Sequence, residues 1–448
     1  MTHKRLFVLI VIPLCSMLFL NCLDQKNTML TPITQLWSKP IIEEPSTIFD
    51  PENVHFDRPY GRIIHVEDYF ITAWRIQDED VVIALDQLTG NEKWRIEIPD
   101  KLRLSDMVYV ESNKTLCLVS NGDPEILWID LETGLIKKDA GNGNTQLDRK
   151  ATFVYNNILY TYPETIRYLY GRFAGEVFLR AYHLTDHNEL FQVALDRSFL
   201  NIIHAEGNTL YAISQDSVVC LDAYSGRVIE RIVLPYTKGV SFFLPTSLKT
   251  YEPGWVKHII DGEYLFLLND DNVFCIHLTD KTLLWSAFLD ESDASGNYNN
   301  LITNQERVFI LTNKVLAFDK ATGQRIPLSG SGLEINHHFM SSKHSIHSNL
   351  LLCAQDENTL FAYDVLKDSV LWKTDQTAQG FIYPMEYKDS FIIYEENKGF
   401  YSINISTGKI GWVLKENLGL LTSMHQEVLH DTLFFVTSDG VLHAVNLE

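Results

Sequence analysis

The chain has 448 residues, of which 46% are apolar, with aromatic side chains spread along its length; that is enough for a full core and argues against disorder. A formal net charge of −21 repels phosphate backbones and argues against nucleic-acid binding. Six cysteines occur without a CxxC, an adjacent pair or a haem motif, so no redox or haem centre is expected.

Residues 1–21 read as a targeting segment rather than fold. His3, Lys4 and Arg5 open it, and Leu6 to Leu20 is almost wholly apolar, the length of a signal core and short for a membrane span. Cys22 follows Asn21 in FLNC, which resembles a bacterial lipoprotein signal whose cysteine is lipidated. Removing residues 1–21 takes away Lys4 and Arg5 and no acid, which moves the balance from −21 to −23. Residues 22–54 then form an N-terminal segment, and Trp37 sits in a stretch, ITQLWSKPII, that reads as a fourth strand without the three before it.

From residue 55 to 448 one pattern repeats. Its clearest copy is VVIALDQLTGNEKW, Val81 to Trp94, in which Asp86, Thr89 and Gly90 make a turn and Trp94 lies eight residues past the aspartate. The same offset joins His183 to Phe191, His277 to Trp285, Asp364 to Trp372 and Asn404 to Trp412. Asp130, Asp222 and Asp319 are further anchors, and Asn446 is a ninth near the end of the chain. An aspartate at such a place bonds backbone amides further along the turn. Gly90, Gly134, Gly226, Gly323 and Gly408 share one slot, where a positive φ is required. Around each anchor the chain reads as four short strands, as in NIIHAEGN, TLYAISQ, SVVCLDAYSG and RVIERIVL. Four-stranded units at spacings of about 40–55 residues predict a β-propeller. The expected fold is therefore all-β, with nine units, closed by pairing the strand near Trp37 with the C-terminal strands. The recurring aromatic reads as packing between blades, not as a ligand platform. Cys117, Cys220, Cys275 and Cys353 fall inside apolar runs and read as buried strand residues.

These AxDxxTGxxxxW units resemble the PQQ-like, quinoprotein-type propeller repeats. With the lipoprotein-like leader, the chain is similar to the lipoprotein propellers related to the outer-membrane assembly factor BamB, over about residues 30–448. The resemblance implies eight blades, one fewer than the units counted. It also implies a protein-binding role in the bacterial envelope, with an outer-membrane β-barrel or another assembly subunit as partner.

The repeats occur in quinoprotein dehydrogenases too, which use adjacent cysteines beside the cofactor, a calcium site and an aspartate base. This chain has no adjacent cysteines, so neither PQQ nor another cofactor is expected. No P-loop, GxSxG, HExxH or EF-hand string is present, and no catalytic residue is assigned. His337, His338, His344 and His347 have a spacing that would allow metal ligation, but they also read as a solvated loop between blades, and no metal is assigned. A carbohydrate- or small-ligand-processing propeller remains the alternative.

Loop length points to a site. The turns between first and second strands are tight, as are the anchor turns, whereas 136–150, 162–173, 233–255, 288–299 and 326–345 are long. In a propeller these long segments all belong to one face, where binding groups concentrate. Arg167, Tyr168, Tyr170 and Arg172 form one candidate partner-binding patch, and Tyr236, Phe242, Phe243, Tyr251 and Trp255 another, because aromatics and arginine anchor protein interfaces. The expectation is a non-enzymatic envelope scaffold, lipid-anchored through Cys22, on the periplasmic side of the outer membrane or at the cell surface.

Overall fold

The computed structural model describes residues 34–40 and, between 64 and 447, the strands with their tight turns; the breaks include 41–63, 99–103, 121–125, 141–149, 164–176, 236–256, 290–299, 329–345, 375–384 and 415–425. The described residues form nine four-stranded antiparallel sheets, and the architecture is an all-β propeller. In the first eight sheets the strands follow chain order, as in Ile64–Val66, Tyr69–Ile76, Glu79–Asp86 and Glu92–Ile98 of blade 1. In the last sheet Thr34–Pro40 pairs with Val441–Asn446, with Thr34 opposite Asn446 and Trp37 opposite Ala444.

Every anchor ends the third strand of its sheet. Asp86, Asp130, His183, Asp222, His277, Asp319, Asp364, Asn404 and Asn446 are the last residues of those nine strands. The reason is a compact hydrogen-bonded turn. Asp86 Oδ1 accepts the Thr89 amide at 2.9 Å and the Thr89 hydroxyl at 2.8 Å, while the Gly90 amide returns to the Asp86 carbonyl at 2.9 Å. Asp130, Asp319 and Asn404 repeat this geometry with Thr133, Thr322 and Thr407. His277 substitutes its ring, with Nδ1 accepting the Asp280 amide at 3.3 Å.

Where it is described, the residue after an anchor joins two turns of its own blade. The amides of Gln87, Leu131, Ala223, Leu278, Lys320 and Ile405 donate to carbonyls of the first-to-second turns at 2.8–3.1 Å. The carbonyl of the same residue is where the neighbouring blade docks. Trp94 Nε1 donates to the Leu131 carbonyl at 2.6 Å, Trp285 Nε1 to Lys320 at 3.0 Å and Trp372 Nε1 to Ile405 at 2.7 Å. At three seams where the preceding blade has no tryptophan in the slot, another side chain makes this bond. Asn113 donates to Leu184 at 3.0 Å, Tyr160 to Ala223 at 2.9 Å and Tyr211 to Leu278 at 2.8 Å.

The turn glycine is tied to the same contact. Gly134, Gly226, Gly323 and Gly408 have φ between +67° and +71°, and a Cβ on them would fall 2.5–2.9 Å from the aromatic ring of the preceding blade: Trp94, Phe191, Trp285 and Trp372 respectively. The glycine therefore supplies both the backbone conformation and the space for the ring. Where the slot aromatic is missing, so is the glycine. Lys138 is followed by His187 (φ 62°) and Glu230 by Lys281 (φ 53°), while in blade 6 Ala317 pairs with Ile326 and blade 7 carries Asp368 (φ 51°). At the Lys138 seam the space is filled differently. Trp128, on the third strand opposite Lys138, stacks on His187 with centroids 4.2 Å apart, and Lys138 Nζ donates to the His187 carbonyl at 2.8 Å.

The core is distributed between sheets. One buried cluster joins blade 1 to blade 2 through Ile71, Val82, Leu116 and Leu127, and comparable clusters lie between each later pair. A further cluster joins the last sheet to blade 1, where Phe70 and Phe434 pack with centroids 4.1 Å apart. Cys117, Cys220 and Cys275 are buried inside these layers, and burial pushes the thiols of Cys220 and Cys275 up to about 11 and about 12. The largest boundary difference from the sequence reading is in blade 2, where Ile136–Ala140 is the fourth strand, so the long segment there begins at 141 rather than 136; the strands Ile158–Pro163 and Arg325–Ile326 likewise take in the first residues of the segments expected at 162–173 and 326–345.

Two outcomes follow. Gly323→Ala should cost about 3 kcal/mol in chemical denaturation, because it adds both αL strain and a ring clash. Gly207→Ala, at φ +57° with nothing within 4 Å of its Cβ, should cost only about 1 kcal/mol. The second outcome concerns acid. Lys137 and Thr133 hold the Asp130 carboxyl down to about 2. A depressed folded pKa gives stability that is complete above the unfolded value near 3.8 and is lost as pH falls through about 2. Denaturation midpoints should therefore fall between pH 4 and 2, and Asp130→Asn should reduce that slope while leaving pH 5–7 flat.

Candidate interaction face

The strand order gives the sheets two unlike ends. At one end lie the first-to-second turns and the anchor turns. These are short and closely bonded: Gly207 and Gly262 sit at φ +57° and +60° in two of them, and Asn304 Oδ1 accepts the Glu306 and Arg307 amides at 3.0 and 2.8 Å. Cations cross the seams here. Lys114 reaches Glu67 of blade 1 at 3.0 Å, Lys320 reaches Asp261 of blade 5 at 2.6 Å, and Lys388 reaches Asp431 of the last sheet at 3.0 Å. The Tyr387 hydroxyl and Asp431 carboxylate beside Lys388 hold its ammonium well above its usual range. Solvent screens such exposed pairs, so this end is tied together by its turn bonds and seam contacts more than by charge.

At the opposite end the long segments leave the sheets. The fourth strand of blade 4 (Val228–Val233) leads into 236–256, that of blade 5 (Thr282–Phe288) into 290–299, and that of blade 6 (Arg325–Ile326) into 329–345. The second strand of blade 3 (Ile158–Pro163) leads into 164–176 at the same end. Arg167, Tyr168, Tyr170 and Arg172 fall in 164–176, and Tyr236, Phe242, Phe243, Tyr251 and Trp255 fall in 236–256, outside the described residues. Cys22 and the histidines at 337, 338 and 344 also lie outside them; His347 is the last residue of a short strand, Ile346–His347, paired with Leu350.

The described residues add two groups that the sequence reading did not single out. Val233 is 68% exposed and Phe288 60% exposed, each the final residue of an outer strand that feeds a long segment. Their signal was an apolar residue at the last position of a fourth strand, beyond the slot that packs against the next blade. Along the inner strands, the Asp106 carboxylate of blade 2 accepts the Thr152 hydroxyl of blade 3 and the Met107 amide at 2.8 Å. That arrangement ties two inner strands together. Among the described residues no three His, Cys, Asp or Glu side chains are grouped so as to hold a metal ion. No described helix is long and apolar enough to cross a membrane.

Comparison with known proteins gives one family match and several similar folds. Residues 312–448 match the family model described as outer membrane protein assembly factor BamB. No curated protein matches the chain. Among solved structures, BamB from Moraxella catarrhalis is 13% identical, with a TM-score of 0.46 over 93% of this chain and 100% of that one. Sqt1 from Saccharomyces cerevisiae is 11% identical, with a TM-score of 0.48 over 88% and 98%. The computationally designed Ika8 protein is 11% identical, with a TM-score of 0.45 over 79% and 95%. Likeness at that level carries no functional argument. The turn chemistry, the four-stranded sheets and the match over 312–448 together make the chain a PQQ-like, BamB-like β-propeller.

Proposed function

We propose that the chain is a non-enzymatic protein-binding scaffold of the bacterial envelope, acting in outer-membrane protein assembly. The observation that carries this reading is the asymmetry of the sheets. One end is closed by bonded turns, and the other gives rise to the long segments, with exposed Val233 and Phe288 at their bases. A rigid framework with variable segments gathered at one end is how binding surfaces are built on propellers. The family model matched by residues 312–448 supports the assembly setting. In this reading residues 1–21 are a signal, Cys22 carries lipid, and residues 55–448 form the propeller. The partner-binding groups are Arg167, Tyr168, Tyr170, Arg172, Tyr236, Phe242, Phe243, Tyr251 and Trp255.

The same reading includes one ring of nine blades closed by the Thr34–Pro40 strand. Its support is the pairing of aromatic and glycine around the chain. Trp37 is opposite Ala444, as Trp94 is opposite Ala84 and Trp372 opposite Ala362, which gives Trp37 the slot position of the last sheet. Gly90, at φ +67°, is the turn glycine of blade 1, the blade that follows the last sheet. Trp37→Ala should then cost about 3 kcal/mol in denaturation, the scale of a large-to-small aromatic truncation. A cost under about 0.5 kcal/mol would make that strand peripheral.

The binding role is tested by capture. The full chain, purified from its own envelope, should retain an outer-membrane β-barrel or an assembly subunit. Tyr170→Ala with Trp255→Ala should lower that capture more than about tenfold, the scale of interface anchors, with the unfolding midpoint unchanged. Undiminished capture by the double variant would remove these residues from the interface.

A further inference from the structure

We infer that the tight-turn end of the propeller lies against the bilayer and the loop-bearing end points away from it. The inference rests on the reading of Cys22 as the lipid anchor. Its geometric basis is where the described chain begins. Thr34 is paired with Asn446, the anchor of the last sheet, so the Thr34–Pro40 strand starts at the tight-turn end and runs towards the other. Residues 22–33 separate Cys22 from that point. A chain of that length spans at most about 40 Å when extended, and about 20 Å on average if flexible. The tether therefore holds the tight-turn end close to the lipid headgroups.

The surface at that end is consistent with a lipid neighbour. Leu88, in the anchor turn of blade 1, is 81% exposed, and Leu135, in that of blade 2, is 68% exposed. They belong to the two consecutive blades that begin next to the last sheet, where the tether starts. Neither side chain is used in the turn's own bonding, which runs through Asp86 with Thr89 and through Asp130 with Thr133. Single exposed leucines are ordinary on a protein surface. Two on neighbouring turns, at the end where a lipid tether would enter, are placed to reach into a headgroup layer. The net charge of −23 that remains once residues 1–21 are removed, two fewer basic residues than the −21 of the whole chain, favours a zwitterionic surface over an anionic one. The consequence for function is directional: the long segments of blades 3 to 6 face the aqueous compartment, open to a partner's soluble portion.

Amide hydrogen exchange on the full chain, bound to phosphatidylethanolamine–phosphatidylcholine vesicles, tests this. The reference is the Cys22→Ser protein mixed with the same vesicles, and the mass of the N-terminal peptide reads the anchor itself. The expected result is a lipidated Cys22 and several-fold slower exchange in the turns at 86–91 and 130–135, with 231–235 and 286–289 unchanged. Leu88→Ser with Leu135→Ser should keep the lipid and lose much of that slowing. A lipidated Cys22 with slowing at 231–235 and 286–289 instead, or at neither end, overturns the orientation and leaves the anchor standing. An unmodified N-terminal peptide overturns the anchor, and the orientation with it.

Discussion

One contact organises this propeller: an aromatic ring on the outer strand of one blade, seated on a positive-φ glycine in the turn of the next. The ring needs the glycine because any Cβ there would stand within 3 Å of it, and the indole N–H needs the carbonyl of the residue after the anchor. That carbonyl's own residue also ties together two turns of its blade. Blade geometry and blade-to-blade spacing are thus set at a single peptide unit. The correspondence holds in its exceptions as well. Lys138, Glu230 and Ile326, where no ring is available, precede turns with His187, Lys281 and Asp368 in place of glycine. In the last of these the Tyr363 hydroxyl donates to the Asp368 carboxylate, so the side chain allowed by the absent ring is put to a local use.

This constraint divides the labour of the molecule. Because the seam contacts described lie at the ends of third strands, the tight-turn end tolerates little variation. Among the described residues the other end shows no ring-on-glycine contact, and it is there that chain length varies, from short links to the segments 236–256 and 329–345. A binding surface at that end can change without disturbing the seams, which is the physical sense in which a propeller separates framework from function. The buried thiols, the Asp106–Thr152 bond and the seam ion pairs all belong to the framework.

Much of the framework was legible in the amino-acid sequence because its determinants are local. Asp86 with Thr89 and Gly90 specifies a turn, and Trp94 at a fixed offset specifies the next strand. The link between units was not legible while each repeat was considered alone: Trp94 answers to Gly134, forty residues away, not to Gly90. Ile136–Ala140 was missed as a strand because IKKDA has no apolar alternation. It is held instead by pairing with Ile126–Asp130 and by Lys137 and Lys138 reaching Asp130 and His187. The candidate partner residues, from Arg167 to Trp255, lie in segments that no repeat rule governs, so their residue types suggested a role while their positions in space followed from nothing local. Val233 and Phe288 were overlooked for the opposite reason. They sit at the ends of regular strands, where an apolar residue passes for core until its exposure is known.

The most direct test of the shared contact is a double-mutant cycle between Trp285 and Gly323, read by chemical denaturation. If the ring and the glycine form one contact across the seam, removing the ring with Trp285→Ala should leave Gly323→Ala costing only its αL strain, about 1 kcal/mol, with a coupling energy of about 2 kcal/mol between the two sites. Additivity within about 0.5 kcal/mol would mean that the two residues act independently, and the seam would have to be explained by the buried clusters alone.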